Sequence, residues 1–213
     1  MAIDWNAVSD ANRMGRTGRA SEALQQFISM EPLCESDRDR AVLSLGQSMC
    51  WAHLGRMAEA LAQVERAKQF ATGERDLMLQ IEVAEANCRA LNSEPQTACD
   101  LYERIAATYR DLLNEDLESA EELDKRHGYA LVHVERYEEA VSILSRLLRS
   151  SRLEDEQRVR LYLGSALDAL GESGQARIEF ELAAKGPNTE LAKDALDRLS
   201  TADEVHQSGS ASC

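Results

Sequence analysis

The sequence predicts an all-α chain made of about five stacked helix pairs, and three observations lead there. Five times a small residue is followed, 12 positions later, by an alanine: Ala11 and Ala23, Ser48 and Ala60, Ala86 and Ala98, Gly128 and Ala140, Gly164 and Ala176. The second alanines are themselves 37, 38, 42 and 36 residues apart, so a fixed interval recurs inside units of variable length. Such self-similarity marks a helical repeat rather than a single catalytic domain. Composition agrees, because only 3 Pro and 11 Gly interrupt 213 residues and no Val, Ile and Thr run alternates with period two.

Each unit opens with a helix carrying its small residue near the middle. Asp4 caps the first, from Trp5 to about Arg16, and Ser36 caps the next, from about Asp37 to Leu54, where Gly55 stops it. Further first helices run from about Glu74 to Leu91, Leu117 to Val134 and Glu156 to Leu170. Their partners are Ala20–Met30, Met57–Phe70, Glu94–Tyr109, Tyr137–Leu148 and Ser173–Ala184. Pro95 suits a first helical turn, where the missing N–H is not needed. The array thus spans 4–185, in units of about 4–34, 36–72, 74–113, 115–151 and 154–186. Residues 187–201 read as a capping helix with Leu191, Ala195, Leu196 and Leu199 on one side and Lys193, Asp194, Asp197 and Arg198 on the other. A polar outer face of this kind keeps the open end of a stack soluble. Residues 202–213 read as a disordered tail.

A formal net charge of −14 disfavours nucleic acid and anionic membrane as partners, since both need a clustered cationic face. No apolar run reaches the ~20 residues of a membrane span, and the N-terminal stretch lacks the basic and apolar regions of a secretory signal. The 5 cysteines (Cys34, Cys50, Cys88, Cys99, Cys213) are odd in number and without CxxC spacing, which fits a reducing cytoplasm.

The helix pairs resemble the tetratricopeptide repeat family, whose signature is a Leu-Gly pair, a bulky residue three positions on, then Ala and an aromatic four residues later. Leu163-Gly164, Leu167, Gly171, Ala176 and Phe180 carry it most fully. Ser48, Trp51, Gly55, Ala60 and Val64 take these roles in the second unit, Ala11, Met14, Gly18, Ala23 and Phe27 in the first, and Gly128, Leu131, Tyr137, Ala140 and Leu144 in the fourth. The third departs, with Arg89 where a bulky apolar residue is expected and Ser93 in place of the turn glycine. The resemblance implies a right-handed α-solenoid whose first helices line a concave face that receives a peptide or partner helix. It further implies that Asn12, Met49, Asn87, Tyr129 and Ser165 share one inward site, where asparagine holds a ligand's main chain. The lysine and arginine set with which chaperone-binding members grip a C-terminal carboxylate is incomplete here.

Within this acidic chain, Lys125, Arg126, Tyr129, His133, Arg158 and Tyr162 form a cationic and aromatic cluster on or near the concave face. Its cations either meet a partner carboxylate, with the tyrosines adding contact area, or pair with neighbouring acids. Val42, Leu45, Met49 and Ala52 make the second unit's inner face apolar: core, partner groove or dimer contact.

Catalysis finds no support. His127 and His133 are 6 apart on one helix and face different ways, and His53 lies two units from His133, roughly 20 Å at ~10 Å per helix. Neither pair can share a metal. Cys50 and Cys88 read as buried inert thiols. The acidic run from Asp111 to Asp124 lacks calcium-loop order and reads as a solvated helix start, with Glu121 and Glu122 pairing to Lys125 and Arg126. The expectation is a non-enzymatic protein-interaction module without cofactor or metal, a homodimer being the alternative.

Overall fold

The computed structural model describes residues 3–149 and 155–210. The described residues contain twelve α-helices, one 3-10 turn and no strand. The chain divides into two compact units, Met1–Glu115 and Asp116–Cys213.

The first unit holds α1 (Trp5–Arg16), α2 (Ala20–Met30), α3 (Asp37–His53), α4 (Met57–Phe70), α5 (Arg75–Leu91), α6 (Pro95–Thr108) and α7 (Arg110–Glu115). Helices α1, α3 and α5 lie side by side in one layer, with α2, α4 and α6 packed against them in a second. Local chemistry sets the starts. The Asp4 carboxylate accepts from the Asn6 N–H at 2.9 Å, and Ser36 and Asp39 cap each other's backbone N–H groups across the start of α3. Gly18 and Gly55 end α1 and α3 with φ of 85° and 74°, the left-handed backbone that the turns require.

Ala11 and Ala23 are fully buried, and Phe27 packs beside them with Leu43 and Cys50. The close approach of α2 to α3 rests on Gly46, where a Cβ would stand 2.5 Å from the Phe27 ring. Ser48, the small residue read for the second helix pair, is buried as well and donates its hydroxyl to the Leu45 carbonyl at 2.7 Å. A second cluster joins Ala41, Val64, Ala67, Leu77 and Ile81 across α3, α4 and α5.

The irregular third unit keeps the register read from its alanines. Ala86 and Ala98 are fully buried. Ser93 adopts φ 60° where the first, second and fifth units use glycine, and Arg89 donates to Glu94 at 2.9 Å across the turn. The helix α7 was not foreseen: the long link after Tyr109 folds into one further turn, and Arg75 holds Asp111 there at 2.7 Å.

The second unit holds α8 (Leu117–His133), α9 (Tyr137–Leu147), α10 (Glu156–Ala169), α11 (Ser173–Ala184) and α12 (Thr189–Ser210). Here α8, α10 and α12 form one layer, backed by α9 and α11. Gly128 and Gly164 admit the opposite helices: a Cβ would come within 2.6 Å of Leu144 and 2.7 Å of Phe180. Between α8 and α9 the left-handed turn residue is Glu135, at φ 62°.

Gln157 fastens α12. Its amide donates to the Ala183 and Asn188 carbonyls at 2.8 and 2.9 Å, and its carbonyl accepts the Asn188 N–H at 2.9 Å. Ala195 is fully buried, but Leu196, read as part of the inward side, is 55% exposed. Arg198, read as outward, instead turns toward α10. The inward stripe therefore runs through Leu191, Ala195 and Leu199, at helical spacing of four, with the exposed Arg198 reaching over its edge. Helical backbone continues to Ser210, where a tail had been expected from residue 202. The boundary placed at 151–154 between the fourth and fifth units, and Cys213, lie outside the described residues.

Candidate functional site

The nine residues singled out for partner binding fall into two groups, one in each unit. In the first, Asn12 (α1), Met49 (α3) and Asn87 (α5) stand on successive helices of one layer. Asn12 and Met49 border a narrow crevice with Gly15, Phe27, Gly46, Cys50 and His53. Met49 is 37% exposed, whereas Leu45 is buried in the core with Val42 against it. The apolar inner face thus grades from buried Leu45 through part-buried Val42 and Ala52 to the exposed Met49. Asn87 is partly committed: its side-chain carbonyl accepts the buried Tyr102 hydroxyl at 2.8 Å. That bond links α5 to α6 and leaves the Asn87 amide group outside it.

The second group is assembled by α8 and α10. Tyr129 and Tyr162 stack with ring centroids 4.3 Å apart and planes 26° from parallel. His133, one turn after Tyr129, meets the Tyr162 ring edge-on at 5.6 Å, and its Nε2 lies 3.3 Å from the Tyr162 hydroxyl. The stack follows from sequence: Gly128 pulls α8 inward, and the next residue then faces α10.

The cations mostly meet neighbouring acids. Lys125 and Arg126 both contact Glu122, at 2.5 and 2.7 Å, and Arg158 lies 3.5 Å from Asp155. Glu122, one of the two acids expected to pair with these cations, sits one turn before both and contacts each. Burial works to raise the Glu122 carboxyl, but the Lys125 hydrogen bond and the Arg126 charge outweigh it and hold it below the usual range. Burial pushes the Tyr129 phenol far above its ordinary value and Tyr162 upward too, so both stay neutral donors. Two buried polar atoms here make no hydrogen bond: the Tyr129 hydroxyl and the Arg158 Nε.

Sequence reasoning missed Arg198. It donates to the Ser165 hydroxyl at 2.9 Å, lies 6.0 Å from the Phe180 ring and pairs with Asp194 at 3.1 Å. The signal was present, since Arg198 stands seven residues, about two helical turns, after Leu191, at the edge of the inward stripe. Among the described residues no group of three His, Cys, Asp or Glu side chains gathers in a metal-binding arrangement. No helix among them is long and apolar enough to cross a membrane.

Paired helices in two layers, small residues at the contacts and a polar-aromatic first layer define a helical-repeat protein of the interaction type. The tetratricopeptide repeat family model matches residues 6–74 and 125–199, and the chain belongs to that family. None of the curated proteins matches the chain. Among solved structures, nearly identical TPR-like repeats from Podosopora anserina match at 19% identity and TM-score 0.63, covering 84% of this chain and 92% of that one. YrrB, a TPR protein with an unusual peptide-binding site, matches at 17% identity and TM-score 0.57, over 90% of both chains. MamA (AMB-1) matches at 16% identity and TM-score 0.56, covering 88% of this chain and 98% of that one. These likenesses establish the shared fold.

Proposed function

We propose that the protein is a non-catalytic interaction module that binds a peptide or partner helix on the layer of first helices. The observation that carries this reading is the Tyr129–Tyr162 stack with His133 at its edge. Aromatic side chains with few rotatable bonds provide contact area at low entropic cost, and arginines beside them add directional hydrogen bonds. The peptide-binding site of YrrB, a protein of the same fold, supports it. Asn12, Met49 and the Asn87 amide would serve a partner on the first unit in the same way. A net charge of −14 steers toward neutral or basic partners and away from nucleic acid. Cys34, Cys50 and Cys88 are free thiols, which fits a cytoplasmic setting.

The test is capture from native cytosol by full-length protein, followed by identification of the bound proteins. Binding should fall when Lys125, Arg126 and Arg158 are all changed to Glu, and also with Tyr162→Ala. Capture that both variants leave unchanged would place the interaction elsewhere.

A homodimer is the second reading. It is favoured by Ile178 and Leu182, one turn apart on α11 and 57% and 40% exposed. Solution mass measured across concentrations decides it, and a strictly monomeric species removes it.

A further inference from the structure

We propose that the first unit receives the side chain of a partner tyrosine in the cavity between the α1–α2 turn and the end of α3. This rests on the reading of the first-helix layer as an interaction face, and adds which residue the partner must bring there.

A cavity of about 350 Å³, open to solvent, carries the inference. It adjoins the narrow crevice beside Asn12 and Met49, because Gly15 and His53 border both. A segment lying on the first helices of this unit can therefore place one large side chain in it.

Charge narrows the choice of side chain. Among the described side chains of the lining, the only full charges are those of Arg19 and Glu22. These already neutralise each other through two hydrogen bonds, one of them from the Arg19 Nε at 3.0 Å. A visiting carboxylate would meet Glu22 and a visiting ammonium or guanidinium would meet Arg19, so a charged occupant gains little. An uncharged one leaves the pair intact.

Shape and polarity select among uncharged groups. Gly18 leaves open space, since no atom lies within 4 Å of where its Cβ would stand. Leu54 is 39% exposed, and the His53 ring beside it in sequence is exposed and has no hydrogen bond, ion pair or ring contact among the described residues. An accessible leucine and an unpartnered imidazole on one cavity suit an aromatic ring, which packs on apolar surface and on other rings alike. The Ser21 hydroxyl in the same lining is likewise without a hydrogen bond among the described residues. It can donate to a phenol oxygen or accept from it, which favours tyrosine over phenylalanine.

The test titrates the full chain with N-acetyltyrosinamide, N-acetylphenylalaninamide and N-acetylleucinamide while NMR follows the His53 ring and Leu54 methyl signals. The tyrosine probe is expected to shift both, with a dissociation constant on the order of 1 mM, as suits a ligand of this size. The phenylalanine probe should bind about 3-fold more weakly and the leucine probe about 10-fold. Ser21→Ala should erase the difference between the two aromatic probes, and His53→Ala and Leu54→Ala should each weaken the tyrosine probe at least about 3-fold. Leu91→Ala, which alters an exposed leucine outside the cavity, should leave binding unchanged. Equal binding of the three probes, no shift at His53 and Leu54, or binding that both His53→Ala and Leu54→Ala leave intact would overturn the inference. Capture of proteins from native cytosol separates it from the reading beneath it. Capture by wild type with failed probes sinks the tyrosine pocket alone, whereas no capture sinks the interaction face and the pocket's role with it.

Discussion

Tyr129→Phe should make the protein more stable, the reverse of the usual outcome for deleting a buried hydroxyl. The ring stays in place, still stacked 4.3 Å from Tyr162, and only an oxygen without a hydrogen bond is lost. Burying an uncompensated hydroxyl costs about 1–3 kcal/mol on the scale set by protein mutants. Part of that returns as reduced dispersion contact in the variant, so the expected gain is about 1 kcal/mol. In a protein of this size it corresponds to about 2–4 °C in Tm. Urea titration followed by far-UV circular dichroism measures it, with amide exchange in α8 and α10 locating the change. Tyr162→Phe is the control, because its hydroxyl has only a 3.3 Å contact with an exposed histidine and should change stability by less than about 0.5 kcal/mol. A loss of about 1 kcal/mol in Tyr129→Phe would show that the hydroxyl has a partner after all.

Glycines divide by their surroundings: Gly164→Ala should cost about 1–2 kcal/mol by pressing a Cβ against Phe180 at 2.7 Å, net of the better helix propensity, whereas Gly15→Ala meets nothing nearer than 3.6 Å and should gain about 0.5 kcal/mol. Thermal melts of the two variants check the opposite signs. Gln157→Ala removes three hydrogen bonds at the root of α12, so amide exchange between Thr189 and Ser200 should accelerate at least about 10-fold while α8 and α9 stay protected. Stability should also decline at high pH. Burial raises the Cys50 and Cys88 thiols from 9.0 to about 11, so between those values the unfolded chain has released protons that the folded chain retains. The slope is therefore negative, on the order of 1.4 kcal/mol per pH unit for each thiol, and Cys88→Ala should flatten it.

Most of the fold could be read because a stack of helix pairs repeats its packing rule. Ala11, Ala23, Ala60, Ala86, Ala98 and Ala140 mark contacts where only a small side chain fits, and each of them is fully buried. Turns were legible where glycine supplies a positive φ and illegible at Ser93 and Glu135, since neither side chain announces the left-handed backbone it adopts. Helix α7 escaped notice because six residues are too few to show periodicity. At the candidate site Tyr129 and Tyr162 could be assigned to one cluster, but not their stacking, because Tyr129 follows Gly128 by one residue whereas Tyr162 precedes Gly164 by two. Asn87 could not be judged: whether an asparagine faces outward or holds a tyrosine depends on where Tyr102 lies, fifteen residues on and in another helix. Arg198 was misassigned because charge was taken to mean outward, although a long guanidinium can lie along an apolar ring and reach a hydroxyl beyond it.

Among the described residues the main helix contacts within each unit join helices one or two places apart in the chain. Loop closure therefore spends little entropy, and folding should be rapid, in the microsecond to millisecond range of helical proteins. On a ribosome releasing about 5–20 residues each second, α1 to α3 would have settled against one another long before α6 emerged. The nascent chain would then expose little more than one unfinished helix pair at any moment, and need correspondingly little protection from its neighbours.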